Sequence, residues 1–303
     1  MPADHARYDT VSFLTDYGTR DEFVGVVKSV IRELAPHVTV LDLTHEIVPF
    51  DVRAGSLALA RCIGYVPGGV VLAVVDPGVG TDRRAVAIEV AGGAGVLVGP
   101  DNGLLAPAVA MSGGAERAVS LTDEAYHLAA PGATFAGRDV FAPVAAHLCN
   151  GVDLGELGEA VDPALLVPGT VPLPRTEDDG VMAEVLWIDR YGNCQLNVGP
   201  NDLASLATAG DRLRLEIGLP TDPSGIVTRV AERADAFAGI TGGGLGLVLD
   251  SYGMLALSID RGSAAEHLGV GVGDQVFVTG FDDDATRGDE RGPVATPVRL
   301  SRP

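Results

Sequence analysis

Residues Val70–Val90 read VVLAVVDPGVGTDRRAVAIEV. Six apolar residues in succession, four of them valine, suit a strand buried on both faces rather than one wetted at alternate side chains. The run stops at Asp76 and Pro77, and two glycines turn the chain before a second run, AVAIEV. An acid at the carboxyl end of a strand, with a glycine loop returning an arginine toward it, can make a buried carboxylate–guanidinium pair, here Asp76 with Arg83. The same residues also read as a strand-end turn with surface charges. The glycines do not match a phosphate loop, since neither GxxxxGK[ST] nor a GxGxxG that opens a helix is present.

Outward from this stretch, TVSFLT, VTVLDL and VLVG alternate with helical segments at Val27–Leu34, Val52–Cys62, Leu104–Met111 and Val140–Leu148. The alternation predicts an α/β domain over residues 1–166 with a mixed, largely parallel sheet and its chemistry in loops at the strands' carboxyl ends. Residues 167–180, VPGTVPLPRTEDDG, have the composition of a linker. Seven short, closely spaced strand runs follow, predicting a smaller antiparallel β-barrel or sandwich over 181–280. The charged, proline-containing tail 281–303 is expected to be flexible.

At 303 residues the chain is long enough for one large or two ordinary domains. Against 21 basic residues stand 41 acidic ones, a net charge of −20, which repels phosphate backbones and anionic lipid. Neither nucleic acid nor membrane is an expected partner. No apolar run approaches the roughly 18–20 residues of a spanning helix, and MPADHARYDT lacks an apolar signal core, so a cytoplasmic protein is expected. Three distant cysteines and six histidines without ligand spacing predict no metal site.

Other candidate residues cluster at turns. In FLTDYGTRDEF, Asp16 ends the first strand, where a carboxylate can accept both hydroxyls of a ribose, while Asp21 reads as a helix cap. GPDNGLL is a turn and cap, and Asp139 in TFAGRDVF is either a helix cap or part of a loop site. In IDRYGNCQLN, Asp189 and Asn193 flank a glycine turn that is as readily a hairpin as a ligand contact.

Taken together, FLTDYGTRDEFVGVVK, LDLTHEIVPFDVRAGSLAL, VVDPGVGTDRRAVAIE, GPDNGLL, TFAGRDVFAPVAAHL, IDRYGNCQLN and SIDRGSAAEHLGVGVGD, in that order, resemble the S-adenosylmethionine hydroxide adenosyltransferases, relatives of the fluorinase and chlorinase. The resemblance implies displacement of methionine from the 5′-carbon of S-adenosylmethionine, by water in the hydrolases and by halide in the halogenases. It implies no cofactor, adenosine as product, and a homotrimer with sites between subunits. Carried over by position, Asp16 matches the aspartate on the ribose hydroxyls and Phe50 an aromatic beside the nucleoside. Asp189 and Asn193 match residues contacting the methionine amine and adenine, with Ser251 near the methionine end.

Where the halogenases carry tyrosine and the hydrolases aspartate, this chain has Asp76, with Arg83 seven residues on. A carboxylate there repels halide and accepts a hydrogen bond from water. The chain departs from the family pattern at Ala136, which stands where the hydrolases have histidine. The resemblance therefore implies either a member working with Asp76 and Arg83 alone, or an alanine introduced to slow turnover and trap a complex, the reading favoured by the surrounding matches. An adenosyl halide synthase and a catalytically inactive nucleoside-binding protein are the alternatives to hydrolysis.

Overall fold

The computed structural model describes residues 7–177, 179–204, 206, 212–218 and 226–281. The expected flexible tail lies outside the described residues beyond Phe281. The chain divides into two compact units, Met1–Val171 and Pro172–Pro303.

The first unit runs β1 (Thr10–Thr15), α1 (Phe23–Leu34), β2 (Thr39–Thr44), α2 (Val52–Ile63), β3 (Gly69–Val74), β4 (Ala85–Val90), β5 (Gly95–Pro100), α3 (Ala106–Met111), β6 (Arg117–Ser120), α4 (Ala142–Cys149) and β7 (Glu159–Val161). Its seven strands lie in the order β2-β1-β3-β5-β4-β6-β7. The first four are mutually parallel, and β4, β6 and β7 add antiparallel pairings at the other side. Five of the seven strands thus point the same way, as the alternating pattern predicts. Short β6 and β7 carry no apolar run of the kind that marked the others.

Side-chain alternation splits the core across the sheet. Val70, Leu72 and Val74 of β3 join Phe13, Val27, Ile31 and Phe141 on the face covered by α1 and α4. Val71, Ala73 and Val75 join Leu14, Leu59 and Leu104 on the face covered by α2 and α3. Every residue of β3 is buried, which is why its sequence is apolar throughout. From β1 the chain passes through α1 to β2 on one side, and then through α2 to β3 on the other. The strand order reverses between β1 and β3, and a crevice opens outside their carboxyl ends.

The second unit comprises β8 (Arg175–Thr176), β9 (Gly180–Ile188), β10 (Cys194–Leu196), β11 (Arg212–Ile217), β12 (Val227–Ala234), β13 (Leu245–Leu249), β14 (Leu255–Ser258), α5 (Ala264–Leu268) and β15 (Gln275–Gly280). Strands β10-β14-β13-β12-β11-β15-β9 form a ring that β9 closes by pairing with β10, a seven-stranded barrel rather than a sandwich. All its pairings are antiparallel except β12 with β13. In β11, Leu213, Leu215 and Ile217 point inward while Arg212, Arg214 and Glu216 are less buried, so the period of two is plain in the sequence. The stretch read as a linker contains β8, which pairs with β9. Among the described residues no helix is long and apolar enough to cross a membrane, and no group of three or more His, Cys, Asp or Glu side chains could hold a metal ion.

Close approach of β5 to β3 depends on Gly99, where a Cβ would overlap the Ala73 carbonyl and press on Leu105. A backbone obstacle cannot swing away. Gly99→Ala is expected to lower unfolding stability by about 1–3 kcal/mol, read from the urea midpoint.

Candidate functional site

A cavity of about 440 Å³ lies at the carboxyl ends of β1 and β3, lined by Asp16, Tyr17, Asp21, Phe23, Pro49, Phe50, Val74, Asp76, Val79 and Thr134–Gly137. Strand β1 ends one residue before Asp16 and β3 two residues before Asp76, so parallel pairing brings two carboxylates from distant sequence to one crevice. With Asp21, three carboxylates give it a negative field.

Arg83 Nη2 donates to Asp76 Oδ2 at 2.6 Å, and its Nη1 donates to the Arg84 carbonyl at 2.7 Å. Both side chains are withdrawn from solvent, Asp76 at 6% and Arg83 at 12% exposure. The glycine loop therefore does return the arginine to the strand-end acid. Burial pushes the Asp76 carboxyl above the ordinary carboxylate range; Arg83 and the Gly78 N–H oppose the rise, while the Asp16 charge adds to it. Asp76 Oδ1 is buried without a hydrogen-bond partner, so half of the carboxylate's accepting capacity is unspent. Asn102 donates from its side chain to the Val75 carbonyl at 2.9 Å, bracing the residue before Asp76.

Asp16 Oδ2 accepts from the Phe50 N–H at 2.9 Å. Phe50 has φ +70°, a left-handed conformation costly for a bulky side chain, and the residue is 72% exposed. The bond from Asp16 helps hold that conformation, and Asp51 then caps α2 by accepting from Ala54 N at 2.8 Å. Tyr17, Phe23 and Phe135 form an aromatic wall with ring centroids 5.1 to 5.8 Å apart. Burial raises the Tyr17 phenol, with the Asp16 and Asp76 charges adding to the effect, so it stays neutral. The wall needs Gly137, because a Cβ there would collide with the Tyr17 hydroxyl.

Ala136 precedes a π-helical turn over Gly137–Phe141 that leads into α4, and it lines both this cavity and an adjoining one of about 650 Å³. The second cavity is also lined by Arg83 and His127. Burial lowers the His127 imidazole's proton affinity, the nearby Glu124 and Asp123 charges opposing it.

In the second unit, Asp189, Asn193 and Ser251 line a separate cavity of about 360 Å³ together with Trp187, Gln195 and Tyr252. Asp189 accepts from the N–H groups of Tyr191 and Asn193, both at 2.9 Å, and from the Asn193 side chain at 2.8 Å. The hairpin and ligand readings of this turn are thus compatible: its side chains close the turn and edge the cavity.

The readings of Asp21 and Asp139 as helix caps do not hold. Glu22 occupies the cap position of α1, and Asp21 faces the cavity. Asp139 lies inside the π turn, paired with Arg138 at 2.5 and 3.0 Å. Tyr17, Phe23, Phe135 and Trp187 were not singled out from sequence, because aromatic residues beside strand and helix ends read equally well as core.

A family model described as the SAM hydroxide adenosyltransferase N-terminal domain matches residues 11–158, and one for the C-terminal domain matches residues 183–277. The chain is 45% identical over 269 residues to a protein of Salinispora tropica named (R)-S-adenosyl-L-methionine hydrolase, covering 89% of this chain and 97% of that one. A fluorinase of Actinoplanes is 28% identical over 296 residues, covering 89% and 97%. A crystal structure of an uncharacterized conserved protein from Thermotoga maritima matches with a TM-score of 0.79 at 32% identity, covering 89% of this chain and 99% of that one.

The ion pair makes a prediction about stability. Arg83→Met leaves a buried carboxylate without its counter-charge and is expected to cost about 3–5 kcal/mol at pH 7. Burial already raises the Asp76 pKa and loss of Arg83 raises it further, so the loss grows as pH rises through the folded pKa and shrinks below it. Urea denaturation at pH 7 and at pH 4.5 measures this; a loss equal at both would exclude the Asp76 charge as its cause.

Proposed function

The chain belongs to the SAM hydroxide adenosyltransferase family, and on that premise we propose that it hydrolyses S-adenosyl-L-methionine to adenosine and L-methionine. The observation that carries this reading is the buried Asp76 carboxyl beside the cavity, fixed on Oδ2 by Arg83 and unpaired on Oδ1. Water oxygen attacks the ribose 5′-carbon, the carbon–sulfur bond breaks, its electron pair stays on sulfur as the neutral thioether of methionine, and the water's proton passes by way of the Asp76 carboxylate to solvent. A sulfonium leaves readily without acid assistance, so the protein's tasks are alignment and partial removal of water from the nucleophile. No cofactor enters the proposed step.

In this reading Asp76 accepts a hydrogen bond from the attacking water and Arg83 holds the carboxylate ionised and oriented. Asp16, whose Oδ2 takes the Phe50 N–H, has acceptor positions left for the ribose hydroxyls. The exposed Phe50 ring packs beside the nucleoside. Asp189 and Asn193 contact the methionine amine and adenine, and Ser251 lies toward the methionine end. A homotrimer, in which neighbouring subunits complete each site, is proposed from the resemblance to the family. Carboxylates of Asp16, Asp21 and Asp76 on one cavity attract a sulfonium cation and repel chloride or fluoride, which favours hydrolysis over halide transfer.

Ala136 supplies no donor, acceptor or base, so turnover rests on Asp76 and Arg83. Incubation with each sulfur epimer of the substrate, with and without chloride, followed by chromatography is expected to give adenosine from the R epimer; 5′-chloro-5′-deoxyadenosine, or binding without product, would overturn the reading. Asp76→Ala is expected to abolish adenosine formation, and Ala136→His to raise it about 10²–10⁴-fold, the range for a positioned base. Because the working form of Asp76 is ionised and its pKa is raised, kcat/KM falls as pH drops, with a midpoint above the ordinary carboxylate range.

A further inference from the structure

Beneath the loop that presents Asp16 and Tyr17 lies a row of hydrogen bonds, buried at Thr15 and His45 and ending at the half-exposed Asp42, outside the machinery described above. His45, 5% exposed, has Nδ1 2.9 Å from the hydroxyl of Thr15, which is fully buried, and Nε2 3.0 Å from Asp42 Oδ1. Thr15 Oγ1 in turn accepts from the Tyr17 N–H at 3.2 Å, and the His45 carbonyl accepts from the Gly18 N–H at 2.7 Å. The Phe13 ring meets the imidazole edge-on at 4.8 Å, and Lys28 donates to Asp42 Oδ2 at 2.7 Å.

For the neutral imidazole, donor and acceptor chemistry gives the row one direction: the Asp42 carboxylate only accepts, so Nε2 carries the proton and Nδ1 accepts from the Thr15 hydroxyl. That hydroxyl oxygen is left to accept the Tyr17 N–H. Every polar group in the row is satisfied in one arrangement, and the imidazole cannot rotate without leaving one of them buried and unpaired. The two residues that flank Asp16 in sequence, Thr15 and Tyr17, are both tied into this row, while Gly18 is tied to the His45 backbone.

The geometry points to His45 as a positioning residue for the proposed reaction: through Thr15 it sets the loop that aims Asp16 at the ribose hydroxyls. This rests on the hydrolase reading and goes beyond it, because His45 and Thr15 do not line the cavity. A ribose held equally in ground and transition states lowers KM more than it changes kcat. Loosening the row therefore raises KM with little change in kcat.

Thr15→Val keeps shape and removes the hydroxyl, and Thr15→Ser restores it. His45→Asn can accept from Thr15 at the place of Nδ1, whereas His45→Gln reaches only toward Asp42. Thr15→Val and His45→Gln are expected to raise KM about 10-fold with kcat within about 2-fold, while Thr15→Ser and His45→Asn stay near the parent. An unchanged KM in Thr15→Val and His45→Gln, with only a lowered urea midpoint, overturns the inference; if Thr15→Val does not fold, the His45→Asn and His45→Gln pair decides. Adenosine affinity by calorimetry separates the two readings. If the parent protein forms no adenosine yet binds it, the hydrolase reading fails while the variant ranking in affinity still decides this one. Absence of both adenosine formation and adenosine binding overturns both.

Discussion

Parallel pairing of β1 with both β2 and β3 is the constraint on which the site depends. Parallel neighbours cannot be joined by a tight hairpin, so each connection crosses a face of the sheet as a helix and every carboxyl end opens on the same edge. Asp16 and Asp76, sixty residues apart in the chain, meet there because β1 and β3 are adjacent. The loop entering α2 arrives at that edge as well, bringing Phe50 onto Asp16 and His45 under Thr15. Convergence of three loops follows from topology before any side chain is chosen.

Once the carboxylates are gathered, their mutual repulsion and their burial must be offset. Arg83 does this for Asp76 from within the turn that follows β3, and the π-helical turn at Gly137 leaves room for Tyr17 beside it. A charged group withdrawn from water is destabilising by itself, yet it is what lets a cavity discriminate between a neutral nucleophile and an anion. Local instability and selectivity here have the same origin.

Legibility in the sequence tracked how much of a residue's environment is set by its chain neighbours. Strands buried on both faces, such as Val70–Val75, announce themselves as apolar runs, and the half-buried barrel strands do so by alternation, as in Arg212–Ile217. Short β6 and β7 draw their partners from distant segments and leave little local trace. The Asp76–Arg83 pair was readable because only six residues of one turn separate its members. Asp21 was misread because a cap and a cavity wall differ by one residue of helix phase, with Glu22 taking the cap. Phe50's left-handed backbone is held by a bond to Asp16 and the Thr15–His45–Asp42 row is joined by the Thr15–His45 bond, contacts 34 and 30 residues long that no spacing rule reveals. Family resemblance pointed to residue types at the cavity, whereas their orientation came only from the fold.

Asp42 has a second consequence through its place in the sheet. It lies on β2, an edge strand of its sheet among the described residues, beside Leu41, which is 40% exposed, and its own side chain is 44% exposed. An unpaired strand edge of this kind is a template for another chain, and a carboxylate salt-bridged to Lys28 on that edge discourages a flat incoming strand. One carboxylate thereby serves two ends, orienting an imidazole inward and resisting edge-to-edge self-association outward, so replacing it with an apolar residue would trade colloidal solubility along with loop order.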